Sequence, residues 1–203
     1  GVTGSIGMGK STVAQMFKEH GYGVYNADDT VHYIYEKDEE VIAKVEAKFP
    51  GSTKDGVVDR IALRDILNKD PKKFRDLEQI VHPVTRNYQI MYINKLIEEG
   101  KTGCVLDIPL LFETGGEKYV DVSIVVTASE ETQQSRVVSE RKVPLEIFNA
   151  IKGQQMPDRE KLKKADYIIS TDSEIEKTKS EVKEVAAKIK LINPKAWNTF
   201  FNK

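Results

Sequence analysis

Cysteine is nearly absent from this chain: Cys104 is the only one in 203 residues. No disulfide can close within the chain, and no cysteine-rich metal site can be built. Cys104 sits in an apolar run and reads as a strand residue rather than a nucleophile, so a reducing compartment is the simple expectation. Histidine is scarce too, and His20, His32 and His82 show no metal-ligand spacing. No apolar run is long enough to cross a membrane, and no charged, apolar and small-residue succession of a signal peptide is visible. A cytoplasmic protein with no membrane partner is expected. Charge of one sign is also lacking. With 31 basic and 32 acidic residues the net charge is -1, which leaves no global basic footprint for nucleic acid. There is no internal repeat and no low-complexity segment. The length fits one core with inserted subdomains, acting as a monomer or weak homo-oligomer, and is enough to bury a real core.

What the chain does have stands near its start. Gly4-Ser5-Ile6-Gly7-Met8-Gly9-Lys10-Ser11 matches G-x-x-x-x-G-K-[ST] in full. The glycines let the backbone curl so that successive N–H groups converge on phosphate oxygens. Lys10 brings a cation to the β- and γ-phosphates, and the Ser11 hydroxyl can ligate Mg²⁺. A helix over 10–19, with Val13, Met16 and Phe17 on one face and Gly21 as its stop, would aim its positive end at the same phosphates. The strand that should precede the loop is short, with only Gly1, Val2 and Thr3, so a few apolar residues are expected to be missing before it. The motif indicates a nucleoside triphosphate and leaves the acceptor open.

Further along, Gly23 to Asn26 reads as a strand. Asp28 or Asp29 can then cap a helix carrying Val31, Ile34 and Tyr35. A helix over 38–49 is closed by Pro50-Gly51. Residues 59–99 are helical in period, punctuated by Pro71 and Pro83, which is too much helix for a simple crossover and predicts an inserted helical subdomain. Gly103 to Ile108 and Val122 to Thr127 are apolar runs of the kind found in strands buried on both faces. From Arg136 to Lys164 basic residues outnumber acidic ones eight to four. A last strand is expected at Tyr167 to Ser170, then an amphipathic helix with Ile175, Val182, Val185 and Ile189 on one face. The order is that of an α/β protein with a parallel sheet, whose ligand lies beyond the carboxyl ends of the strands.

Several side chains can carry chemistry there. Asp28, just past the second strand, can accept a proton from an acceptor hydroxyl or hold it in line; it can equally be a plain helix cap. Asp107 ends the run Cys104-Val105-Leu106-Asp107 and can orient Mg²⁺ through water, or simply cap a strand. Arg136 and Arg141, five apart on an expected helix, can neutralise charge on a transferring phosphoryl group; a solvated helix face is the plainer reading. His82 precedes Pro83, which biases it out of helical geometry, and it can contact an anionic or polar substrate.

The assembled residues resemble the dephospho-coenzyme A kinase family. The likeness runs through residues 3–12, Asn26-Ala27-Asp28, Leu77-Glu78-Gln79-Ile80-Val81-His82-Pro83, Asp107-Ile108-Pro109-Leu110-Leu111-Phe112-Glu113, Gln155-Met156-Pro157, Glu160-Lys161-Leu162 and Ala165-Asp166-Tyr167. The stretches come in the family's order and cover nearly the whole chain. The resemblance implies a P-loop NTP-hydrolase-like α/β fold: a parallel sheet flanked by helices, with a helical substrate-binding insert and a lid. It implies transfer of the ATP γ-phosphoryl group, with Mg²⁺, to the ribose 3′-hydroxyl of dephospho-coenzyme A. By the same resemblance the nucleotide-binding core is 1–30 with 101–135 and 165–192, the coenzyme A-binding subdomain 31–100, the lid 136–164 and a tail 193–203. Asp28 takes the base position, and Gly7, Met8, Gly9, Lys10, Ser11 and Thr12 take the ATP loop. Arg141 or Arg136 takes the lid role, while His82, Pro109, Leu110 and Leu111 fall in the substrate region. Three positions depart from the family pattern. Asn26 stands where Asp is usual, no Arg precedes Gln155 (Lys152 is the nearest base), and Ser170-Thr171-Asp172 replaces a stretch where Asn is common, leaving adenine contacts mainly to backbone.

Two rivals remain at this level. Another small-acceptor kinase, for a nucleoside monophosphate or a sugar, would share the loop and lid but needs no insert of this size. A guanine-nucleotide switch would want Asn-Lys-x-Asp, and Asn68-Lys69-Asp70-Pro71 fails it at the last position.

Overall fold

The structure, a computed structural model, describes residues 1–201; the last two residues of the expected tail lie outside the described residues. In chain order the elements are β1 (Val2–Thr3), α1 (Lys10–Met16, continued by a 3₁₀ turn Phe17–His20), β2 (Tyr22–Asn26), α2 (Ala27–Lys37), α3 (Glu39–Lys48), β3 (Thr53–Lys54), β4 (Val57–Val58), α4 (Arg60–Lys69), α5 (Phe74–Glu98), β5 (Gly103–Asp107), β6 (Ile124–Thr127), α6 (Glu130–Gln134, continued by a π-turn Ser135–Glu140), α7 (Leu145–Gln154), α8 (Asp158–Lys164), β7 (Tyr167–Ser170) and α9 (Ile175–Ile189). Two compact units result: residues 1–25 with 96–203, and residues 26–95.

The first unit is built on a five-stranded sheet in the order β2-β5-β1-β6-β7. The pairs β1–β5, β1–β6 and β6–β7 are parallel. Such pairs need helical crossovers; β1 and β6 are buried on both faces, which is why they read as continuous apolar runs, while Ile168 on β7 stays exposed. Val2, Val13, Phe17, Val126, Ile169 and Val182 are fully buried in the main cluster. Each such side chain contributes about 1.5–3 kcal/mol. Leu111, Phe112 and Val125 form a second cluster with Met156 and Leu162 packed on it. On α9 the buried residues are Thr178, Val182, Val185 and Ala186, and Ile189 packs partly. Ile175, the first residue of α9, is exposed. Cys104 is half-buried in β5, and burial pushes its thiol up to about 12, consistent with an inert strand residue. The tail is tied down: Asp121 accepts the N–H groups of Lys195 and Ala196, and Tyr119 meets Phe200 edge-on at 5.1 Å.

The second unit packs Ile34, Val41, Val45, Phe49, Leu63 and Leu67 from its helices around one core. It differs from the sequence expectation in two places. First, β3 and β4 form an antiparallel hairpin. Its turn is Asp55-Gly56, both at positive φ (53° and 80°), the geometry a two-residue I′ turn demands. Second, Pro83 does not end a helix. It lies inside the 25-residue α5, so His82 is at mid-helix, exposed, rather than at a boundary. Proline removes one ladder bond, but Val81 on one side and Val84 and Tyr88 on the other are packed into the core, and that burial carries the helix through. Met91 and Ile97 of the same helix are exposed.

Candidate active site

The loop between β1 and α1 follows the central strand of the sheet. Gly9 caps α1 in a left-handed conformation with no side-chain cap, and the first intrahelical bond runs from Val13 N–H to the Gly9 carbonyl. The N–H groups of Lys10, Ser11 and Thr12 thus precede the helical ladder, where an anion binds. Gly7 has φ 81°, and a Cβ there would come within 2.6 Å of Val137 Cγ2. A Cβ on Gly4 would sit 2.5 Å from the Val126 carbonyl, so both positions admit only glycine without displacement of neighbours.

The loop carbonyls are held from outside. Gln133 Nε2 donates to Ile6 O at 2.7 Å, Arg136 Nη1 to Gly7 O at 3.4 Å, and Thr171 Oγ1 to Met8 O at 2.9 Å. The Ala128 N–H donates to Met8 Sδ at 3.1 Å, which buries this side chain. With three successive carbonyls turned outward, the loop's concave side is left to N–H groups and to Lys10. Gln133 and Thr171 were not legible as loop supports, since they lie far along the chain from it. Gln155 carried a signal only as part of the Gln155-Met156-Pro157 motif.

Lys10 Nζ pairs with Asp107 Oδ1. Asp107 ends β5 and is 2% exposed, Lys10 13%. Ser11 and Thr12 are exposed. Among the described residues no group of three or more His, Cys, Asp or Glu can hold a metal by itself. Mg²⁺ needs no such cage, because it keeps several waters and takes one or two protein oxygens beside substrate phosphates. The exposed Ser11 hydroxyl and the Asp107 carboxylate are oxygen donors of that kind, so the residues present fit the ion.

Asp28 lies in the first turn of α2, two residues beyond the end of β2, and is exposed. The expectation that Asp28 or Asp29 caps this helix is corrected. Asn26 is the cap, its Oδ1 accepting from the N–H of Asp28 (2.9 Å) and of Asp29 (3.2 Å).

Arg136 sits in the π-turn, where Arg141 N–H bonds back to its carbonyl at 3.2 Å. Its guanidinium donates to Thr171 Oγ1 and to Thr171 O, each at 2.7 Å, and so braces the end of β7 against the loop. Arg141 is exposed, and Lys142 next to it has φ 59°. The far end of the basic segment is anchored. Lys161, fully buried, lies 2.9 Å from Glu113 Oε1, an ion pair by distance although its angles fall outside hydrogen-bond geometry. The same oxygen accepts from Met156 N–H at 2.8 Å. Burial pushes the Glu113 carboxyl up, but Lys161 and the Met156 N–H outweigh it and hold it below its usual range. Of the substrate-region residues, Pro109 is half-buried and Leu110 is 41% exposed. Leu111 is fully buried in the core, so its side chain serves packing and not a ligand.

A parallel sheet with this loop after its central strand, a lysine at the loop's end and a carboxylate on the neighbouring strand defines a P-loop kinase. The chain belongs to the dephospho-CoA kinase family, whose model matches residues 1–177. Dephospho-CoA kinase from Rhodopseudomonas palustris is 44% identical over 185 residues, covering 91% of this chain and 92% of that one. The enzyme of the same name from Agrobacterium fabrum is 43% identical over 189 residues, covering 93% and 96%. Among solved structures, a Thermus thermophilus protein superposes with a TM-score of 0.81 at 32% identity, covering 95% and 96% of the two chains. Dephospho-CoA kinase from Campylobacter jejuni does so with a TM-score of 0.67 at 29% identity, covering 93% and 95%. Among the described residues no helix is long and apolar enough to cross a membrane.

Proposed function

We propose that this chain transfers the γ-phosphoryl group of ATP to the ribose 3′-hydroxyl of dephospho-coenzyme A, giving coenzyme A and ADP, in the cytoplasm. Family membership over residues 1–177 is the single observation that carries the choice of acceptor. The loop geometry supports the choice of donor. In the reaction the acceptor oxygen bonds to the γ-phosphorus as the bond from that phosphorus to the β–γ bridging oxygen breaks, and ADP leaves with the electron pair.

The N–H groups of residues 7–12 and the Lys10 ammonium hold the phosphates and stabilise charge as it spreads over the transferring group. Lys10 leaves Asp107 for the phosphates, which frees the buried carboxylate. Ser11, and Asp107 through water, would hold Mg²⁺, which when bound would supply Lewis-acid neutralisation of the phosphate oxygens. Asp28 accepts the 3′-hydroxyl proton; its carboxylate is not spent on capping α2, because Asn26 does that. Arg141, exposed beside a left-handed residue, is the lid arginine, while Arg136 acts as loop support. The moving part of the lid is 142–154, since 155–164 is anchored through Met156, Lys161 and Leu162. His82, exposed on α5, and, on the resemblance to the family alone, Pro109 and Leu110 are the residues assigned to the acceptor.

The test is ADP release at saturating Mg·ATP with dephospho-coenzyme A, AMP, adenosine and a hexose as acceptors. Dephospho-coenzyme A should be used far more efficiently than the rest. Equal use of AMP or adenosine would move the chain to a small-acceptor kinase.

A further inference from the structure

Both main-chain groups of Ile6, at the outer bend of the phosphate loop, are taken by glutamine side chains remote in sequence. Gln155 Oε1 accepts the Ile6 N–H at 2.9 Å, and Gln133 Nε2 donates to the Ile6 carbonyl at 2.7 Å. Gln133 is 1% exposed, so this bond is made in a dry setting where geometry is tightly enforced. Gln155 is the C-cap of α7, where the proposed lid rejoins the core, and its position is fixed from the other side. The next N–H, that of Met156, is held by Glu113, which is itself paired with the buried Lys161.

We infer that Gln133 and Gln155 are positioning residues that clamp the phosphate loop through the main chain of Ile6, and that Gln155 passes displacement of the 142–154 lid to that loop. The reasoning is geometric. Within the loop Met8 packs into the core, but Gly7 and Gly9 have no side chain to hold the curl on either side of it. The Ile6 N–H belongs to the Ser5–Ile6 peptide and the Ile6 carbonyl to the Ile6–Gly7 peptide, so the two bonds fix the peptide planes on both sides of the Ile6 Cα, and with them its φ and ψ, and the carbonyls that follow are held outward. Gln155 is the one clamp member at the lid's end, so a moving α7 pulls on the Ile6 N–H and not on its carbonyl. This inference rests on the kinase reading only through the lid; the clamp itself concerns nucleotide binding and needs no acceptor.

The experiment therefore reads nucleotide binding directly. Affinity for Mg·ADP is measured by titration calorimetry on the full chain for wild type, Gln155→Met, Gln155→Glu and Gln133→Met, with thermal unfolding and hydrogen exchange of the segment 1–12 recorded alongside. Gln155→Met keeps the side-chain length and removes the acceptor. It should weaken Mg·ADP binding by about tenfold, within the range a small misplacement of a preorganised site costs, and speed exchange in 1–12. Gln155→Glu retains an acceptor for the Ile6 N–H and should restore slow exchange in 1–12. Gln155→Met with Gln133→Met together should lose less than the product of the two single losses, because both act on the backbone conformation of one residue, Ile6. A residue of purely structural value would lower the melting temperature and leave the affinity of the folded protein unchanged. Folded Gln155→Met binding Mg·ADP as wild type does, with unaltered exchange in 1–12, would overturn the clamp. If Gln133→Met fails to fold, the Gln155 pair alone decides it. Failure of dephospho-coenzyme A as a substrate, with these binding results intact, would count against the acceptor and not against the clamp.

Discussion

Asn26 Oδ1 accepts the backbone N–H of Asp28 at 2.9 Å, so the first turn of α2 is capped before the Asp28 carboxylate is needed. Asn26 caps the helix, and the carboxylate two places on is not spent on that cap. Asp28→Asn should therefore lower the maximal rate by roughly 10²–10⁴-fold, the range of a general base, with little change in ATP affinity. Its melting temperature should match wild type. Asn26→Ala should do the opposite and cost about 1 kcal/mol of stability. A steady-state assay and a thermal melt on both variants separate the two roles; an active but unstable Asp28→Asn protein would reverse them.

Lys10 and Asp107 make a second pair with separable consequences. Lys10→Ala removes a contact to the transferring phosphoryl group and should cost about 10²–10³ in rate. It also deprives the 2%-exposed Asp107 carboxylate of its Lys10 partner, so stability falls as well. Adding Asp107→Asn should recover part of the stability and none of the activity. Melting curves and turnover of the single and double variants check this.

Glu113 gives a pH dependence with a definite sign. Its folded pKa is held below the unfolded value, so its stabilisation is present above the ordinary carboxylate pKa of about 4.3 and is lost as pH falls through the lower folded value. Glu113→Gln leaves the Lys161 ammonium buried without a counter-charge, a loss of about 3–5 kcal/mol for a broken buried pair. The gap in melting temperature between wild type and Glu113→Gln should be full at pH 6–8, begin to shrink as pH falls below the ordinary carboxylate value of about 4.3, and close only below the lower folded value. A gap that widens on acidification would contradict the pairing.

Trypsin should find Arg141, Lys142 and Lys152, in and beside the proposed 142–154 lid, before it cuts at the buried Lys161. An unreactive ATP analogue with dephospho-coenzyme A should slow those cuts, since closure keeps water from the γ-phosphate. Unchanged cleavage with both ligands would count against closure.

How much of this is written locally in the chain differs from residue to residue. The phosphate loop is legible because its constraints are local: glycines where the backbone turns left-handed, a lysine and a serine opening a helix. The strands are legible because burial on both faces leaves unbroken apolar runs. The Asp55-Gly56 pair carries a local turn signal, whereas at Pro83 packing of Val81 and Val84 overrides the local preference to end the helix. Leu110 and Leu111 are alike in sequence and opposite in exposure, which only the packing of the second cluster decides. The Ile6 clamp joins residues 127 and 149 positions apart, and no local pattern encodes such contacts.

The central claim is that phosphate is placed on the ribose 3′-oxygen of dephospho-coenzyme A. The most direct measurement is phosphorus NMR with mass spectrometry of the product formed from dephospho-coenzyme A and Mg·ATP. The expected result is a single product that gains one phosphoryl group as a 3′-monoester and co-elutes with coenzyme A, with one ADP formed per product. Phosphate on any other oxygen, or ADP formed without a phosphorylated acceptor, would contradict it.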